Sequence, residues 1–214
     1  MSATPLSPPV LKGGLVLLDG EGRALKRSIP FQYNPDTLSR TLTPRGAKID
    51  AGDRLEGLRL VGPPVETLKL DAEFDAVDRV GAGGSSADGV ASDLAALETI
   101  ISPSSSDITA EAQKAAQGTL EILPAPSPLV LLVLGPHRVL PVRIVDMGVI
   151  EEMFDIRLTP IRARVSLTLR VLNTDDLPPG SKGAALYLAA QQRRERLAGS
   201  RAGDLNAFGL TGAI

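Results

Sequence analysis

His137 is the only histidine among 214 residues. Acid–base or metal chemistry on an imidazole needs a second group to orient it or to share the ligand set. The surrounding Gly135-Pro136-His137-Arg138 supplies none, so His137 reads as a polar residue of a turn between two strands. Glu151, Glu152 and Asp155 have the residue types of a general acid–base pair. Adjacent residues of a strand face opposite sides of a sheet, however, and the trio reads as a solvated edge or one half of an intersubunit salt bridge. Gly81-Ala82-Gly83-Gly84 has the glycine content of a phosphate-cradling loop but not the Gly-Lys-Ser/Thr that completes one, and reads as a linker. The chain has no cysteine, which excludes disulfides, thiolate nucleophiles, iron–sulfur clusters and the usual structural zinc sites. No nucleophile elbow is present. No catalytic, cofactor-binding or metal residue is assigned, and the chain reads as a non-enzyme.

The charge feature with direction is a row of arginines, Arg162, Arg164 and Arg170, extended by Arg143. From Ile161 to Val171 apolar residues alternate with this row: Ile161, Ala163, Val165, Leu167, Leu169 and Val171 lie on one side, Arg162, Arg164, Ser166, Thr168 and Arg170 on the other. A period of two means a strand with one buried face, and eleven residues at about 3.3 Å each span roughly 36 Å. Long strands suit barrels and tubes. The arginine face reads either as a solvated sheet face or as an interface with a neighbour's carboxylates, which guanidinium groups engage bidentately. A net charge of -2 and 3% aromatic residues argue against a nucleic-acid partner, which would need a basic surface or stacking platforms.

The elements that must position these residues are mostly strands. Leu15–Leu18, a turn at Asp19–Gly22 and an extended segment near Ser28–Tyr33 form a hairpin, with Pro30 confining the second strand to an edge. Leu38–Gly62 reads as an irregular strand and long loop, and Thr67–Asp75 as a half-buried strand. Gly81–Gly89 is flexible in composition. Ser92 or Asp93 then caps a helix that Pro103 ends near Ile101, and Ser104–Gly118 reads as a loop. Leu129–Leu134, Val139–Val145 and Gly148–Phe154 precede the long strand, and Ala184–Leu197 forms a C-terminal helix. The expected fold is mainly β (β+α) and antiparallel: a flexible arm over 1–10, a β domain over 11–175 with a Gly/Ser-rich and helical insertion over 81–118, and a linker, helix and tail over 176–214. The longest apolar run, Leu129–Leu134, is far short of the roughly 20 residues of a membrane span, and Met1–Pro9 lacks the pattern of a secretory signal. No direct membrane insertion is expected, and assembly is expected in the cytoplasm.

Four segments carry a resemblance to a known family. Phe31-Gln32-Tyr33-Asn34-Pro35, the run Gly135-Pro136-His137-Arg138-Val139-Leu140-Pro141-Val142-Arg143-Ile144, then Glu151-Glu152-Met153-Phe154-Asp155 and Leu158-Thr159-Pro160-Ile161-Arg162-Ala163 together resemble the tube-type domain of spike-to-tube adaptors in contractile injection systems. These are bacterial phage-tail-like particles that fire an inner tube through a contracting sheath. The resemblance covers most of Leu11 to Leu172. It implies a tail-tube-like β-barrel or sandwich and a structural baseplate hub protein without turnover. The resemblance further implies six copies in a ring that joins a trimeric spike to the inner tube and starts tube assembly within the particle. Many members carry a C-terminal LysM module; here the chain ends about forty residues after the sheet, so that module is not expected. Baseplate wedge proteins and a separate LysM protein stand as further partners. Within the ring, Arg162, Arg164 and Arg170 are expected at the lumen or a subunit interface, and Gly81–Ile101 at the contact with neighbouring layers. Two other readings stay open. One is an inner-tube or tube-initiator subunit that stacks on copies of itself; the other is a cargo enzyme such as a hydrolase, which needs a convergent ionisable cluster that the sequence does not offer.

Overall fold

A single antiparallel sheet organises the chain. In the computed structural model, which describes residues 11–20, 22–46, 59–77, 88–118, 127–200 and 203, seven strands take the order β2-β1-β5-β6-β7-β4-β3. They are β1 (Gly14–Leu18), β2 (Leu25–Pro30), β3 (Ser39–Gly46), β4 (Leu60–Asp75), β5 (Leu129–Val133), β6 (Val139–Phe154) and β7 (Pro160–Val171). The helices are α1 (Ala91–Ile101), α2 (Ser105–Ala116) and α3 (Lys182–Gly199). The mainly β fold with an inserted helical segment and a C-terminal helix is the one the alternation predicts. The expected arm over 1–10, the Gly81-Ala82-Gly83-Gly84 linker and nearly all of the tail beyond 200 lie outside the described residues.

Alternation sets the core. On β7, Ala163, Val165, Leu167, Leu169 and Val171 are each no more than 2% exposed, and Leu68, Leu70, Ala72 and Phe74 of β4 are buried beside them. β1 and β2 form the expected hairpin, closed by Asp19, whose carboxylate accepts the backbone N–H groups of Arg23 (2.6 Å) and Ala24 (3.0 Å). Those N–H groups, Arg23 first, hold the Asp19 carboxyl below its ordinary value. β2 is an edge strand, as Pro30 requires.

Several elements differ from the expectation: β2 is Leu25–Pro30 where the sequence placed it near Ser28–Tyr33, and β4 begins at Leu60 where the sequence began it at Thr67. Val139–Val145 and Gly148–Phe154 are one strand, β6, because the register shift between Ile144 and Asp146 inserts Val145 as a bulge and the ladder continues past it. The bulge inverts the alternation, which is why the sequence reads as two pieces. Ser104–Gly118 contains a helix, α2, whose N-cap Ser104 accepts the backbone N–H of Asp107 at 3.1 Å. Its residues are all exposed, so no apolar stripe advertises it. At α1 the N-cap is Val90, with no side-chain cap bond; Ser92 and Asp93 fall inside the first turn. The start of α1 is tied down by tertiary contact, the Val90 N–H donating to the Pro160 carbonyl at 3.0 Å, and Leu94 and Leu97 are buried in the core.

Candidate assembly interface

The sheet curls until its edges meet at one point. β3 pairs with β4 only as far as Ser39↔Lys69, so among the described residues the edge of β4 near Asp75 has no strand beside it. Gln32, two residues past β2, fills that place: its Nε2 donates to the Asp75 carbonyl and its Oε1 accepts the Asp75 N–H, both at 2.8 Å. One side-chain amide thus copies the two bonds a strand residue makes. Its neighbours fix it there. Phe31 is fully buried and donates its N–H to Gly13 O at 2.8 Å, while Asn34 Oδ1 accepts the Gly13 N–H at 2.8 Å. Helix α1 reinforces the same seam, because Arg27 of β2 donates to Thr99 Oγ1 (2.7 Å) and Ala96 O (3.3 Å).

The arginine row lies on the outer face of β7, and its three β7 members, Arg162, Arg164 and Arg170, each find a carboxylate in their own chain. Arg162 donates through Nε (2.9 Å) and Nη2 (2.6 Å) to Asp75 Oδ2, Arg164 lies 3.1 Å from Glu73, and Arg170 donates to Asp176 at 2.8 Å. The first two pairs sit directly across the β4–β7 ladder. The hydrogen bond from Asp75, reinforced by its charge, pushes the Arg162 guanidinium above its ordinary value. Arg143 stands opposite Arg170, exposed and with no ion pair among the described residues. Arg162 and Arg164 are therefore cross-strand braces, and Arg170 ties β7 to the turn that follows it, while all three side chains keep a third or more of their surface in solvent.

A second charged device escaped the sequence. Glu66 of β4 is 2% exposed and lies in the same inward-facing row as Leu68 and Leu70. Its Oε1 accepts Arg40 Nε (3.0 Å) and Nη2 (2.7 Å) from β3, and its Oε2 accepts Arg194 Nη2 (2.6 Å) from α3. Extending the β4 alternation back by one residue from Thr67 places a carboxylate in the core row, and that was the available signal. The clamp fixes α3 over this end of the core, where Tyr187 is buried. Burial pushes the Tyr187 hydroxyl above its ordinary 10.0, with Arg194 opposing.

His137 sits in the β5–β6 turn, exposed, with Gly135 at φ 76°. Glu151 pairs across the sheet with Ala163 and Glu152 with Arg162, so the two carboxylates face opposite sides. Asp155 closes the β6–β7 turn: its Oδ1 accepts the N–H groups of Arg157 (2.7 Å) and Thr159 (2.8 Å). Those bonds, Thr159 first, hold its carboxyl below the ordinary 3.8.

Two surfaces remain with the form of interfaces. The first is a pair of free strand edges. β5 pairs with β6 only over Val139–Val142, so among the described residues β6 has a strand, β7, on one side alone from Arg143 to Phe154. On the far side of the β6–β7–β4–β3 portion, β3 pairs only with β4 among the described residues. The second surface is apolar and lies at the two ends of the long strands. Met153, Phe154, Ile156 and Leu158 are exposed at the β6–β7 tip, and at the opposite end a hollow of about 250 Å³ is lined by Leu42, Pro44, Arg45, Leu60, Gly62 and Pro64. No protein-family model matches this chain, and no curated protein matches it.

Proposed function

We propose that this chain is a ring-forming structural subunit of the baseplate hub of a contractile injection system, six copies joining a trimeric spike to the inner tube. The resemblance of the four segments supplies the machine. The observation that carries the ring is the pair of free edges. Each step of β6–β7–β4–β3 is antiparallel, so β3 and β6 run in opposite directions. A neighbour rotated about an axis along the strands then lays its β6 antiparallel to β3, which continues the sheet and removes both edges.

Particle mass and electron microscopy of the purified protein test this. Closed six-fold rings are expected; a protein that stays a single copy at every concentration overturns the ring. In cells, loss of this chain should leave sheath and tube proteins expressed but without complete particles, and an intact contracting particle lacking it overturns the hub role. A second reading, an inner-tube or tube-initiator subunit that stacks on copies of itself, is favoured by the opposed apolar tip and hollow.

A further inference from the structure

Helix α1 bridges the two sides of the seam, and its two ends are held in different ways. Its start is fixed to β7. Val90 is fully buried and its N–H donates to the Pro160 carbonyl at 3.0 Å. Gly89 before it adopts φ +54°, where a Cβ would collide with that same carbonyl oxygen, a backbone that suits glycine and few other residues. The later turns of α1 meet β2 through Arg27, which donates to Thr99 Oγ1 and Ala96 O. Arg27 and Thr99 are exposed, so water competes for their bond, whereas the Val90 bond lies out of water.

A strip of core lies beneath this helix. Leu94 and Leu97 of α1 belong to one cluster with Ile29 and Phe31 from the β2 side and Phe74 and Ala76 from the β4 side. The last four are each no more than 5% exposed, yet among the described residues no strand pairing joins β2 to β4. Gln32 closes the backbone there with two bonds from one side chain, and Leu94 and Leu97 pack where a further strand would have laid its apolar face.

We infer that α1 is a hinged lid on the seam: it swings about Gly89 and Val90, stays attached to β7, and parts from β2 when Gln32 and Arg27 let go. A hinge is a short stretch of backbone that takes up the rotation while the structure on either side stays intact. The ladder from Thr67↔Arg170 to Asp75↔Arg162 lies off the path of this motion, so the lid opens with every strand pair in place. Such local openings cost less free energy than global unfolding. The lid uses contacts within one chain and does not depend on the ring reading.

The chain has no cysteine, so a single introduced thiol reports opening without background. Leu94→Cys places it under the lid and Leu132→Cys places it in β5, both at buried positions. Under native conditions a thiol reagent should label position 94 faster than position 132 by about tenfold or more, with weak dependence on urea because the open form exposes little surface. Gln32→Glu loses the donor to the Asp75 carbonyl, and Arg27→Met loses both bonds to α1; each should speed labelling at position 94 by about fivefold. Leu167→Ala, a change in a part of the core that the open form still buries, should speed labelling at position 132 only. Hydrogen exchange of the unsubstituted chain reads the same motion: the Asp75 amide should exchange through the weakly urea-dependent opening, and the Val90 amide only with the whole fold. Equal labelling at the two positions, or no response to Gln32→Glu and Arg27→Met, overturns the lid. A Val90 amide that exchanges together with Asp75 overturns the hinge.

Discussion

Glu66 shows how a charge becomes tolerable in an apolar row. Its two oxygens are divided between Arg40 and Arg194, whose side chains keep about a third of their surface in water, so the positive partners stay hydrated while the carboxylate does not. Removing one arginine leaves a half-compensated buried charge, whereas removing the carboxylate lets both arginines turn outward. Arg194→Ala should therefore cost on the order of 2–3 kcal/mol and Glu66→Met clearly less. Urea unfolding of the two variants checks the order, and the reverse order would mean that Glu66 is not the group under strain. Tyr187 gives a second residue-scale expectation. Its hydroxyl is raised in the folded chain, chiefly by burial, so the stability it contributes is complete below the unfolded value near 10.0 and is lost as pH rises beyond it. Alkaline titration of the parent should show this loss, and Tyr187→Phe should remove that component.

At the scale of elements, the insertion is held by a backbone contact in place of a cap. Gly89 adopts φ +54° and a Cβ there would collide with the Pro160 carbonyl oxygen, the same atom that receives the Val90 N–H. Gly89→Ala should separate the start of α1 from β7 and expose Leu94 and Leu97, at a cost of about 2 kcal/mol or more. Hydrogen exchange would show it as faster exchange in α1 with the β6–β7 ladder unchanged. Elements were legible where one face is buried without interruption: β7 and the Thr67–Asp75 part of β4 follow the period of two directly. They were not legible where burial and period part company. The Val145 bulge splits β6 in the sequence, α2 has no buried residue to mark it, and the outer half of β4 from Leu60 to Val65 is at most half-buried. The candidate interface was legible only in part. The alternation placed the arginine row on the outer face, but which carboxylates meet it depends on the β4–β7 register, and Gln32 is drawn to Asp75 by curvature of the whole sheet, which no local pattern encodes.

At the scale of the whole molecule, the ladder β6–β7–β4–β3 is the long axis and the remaining strands wrap round to the seam, with α3 over the end of the core and α1 along the join. Among the described residues no helix is long and apolar enough to cross a membrane. The two sides of this body are joined very differently. Between β4 and β7 the paired register runs unbroken from Thr67↔Arg170 to Asp75↔Arg162, whereas at the seam Gln32 contributes two bonds to a single residue. A tensile load along the strands acts in shear on all the rungs of the ladder together, while a load across the seam peels open two bonds and then the α1 contacts in succession. The body is mechanically anisotropic: stiff along the strands, and compliant across the seam, which opens at Gln32 before any strand pair separates.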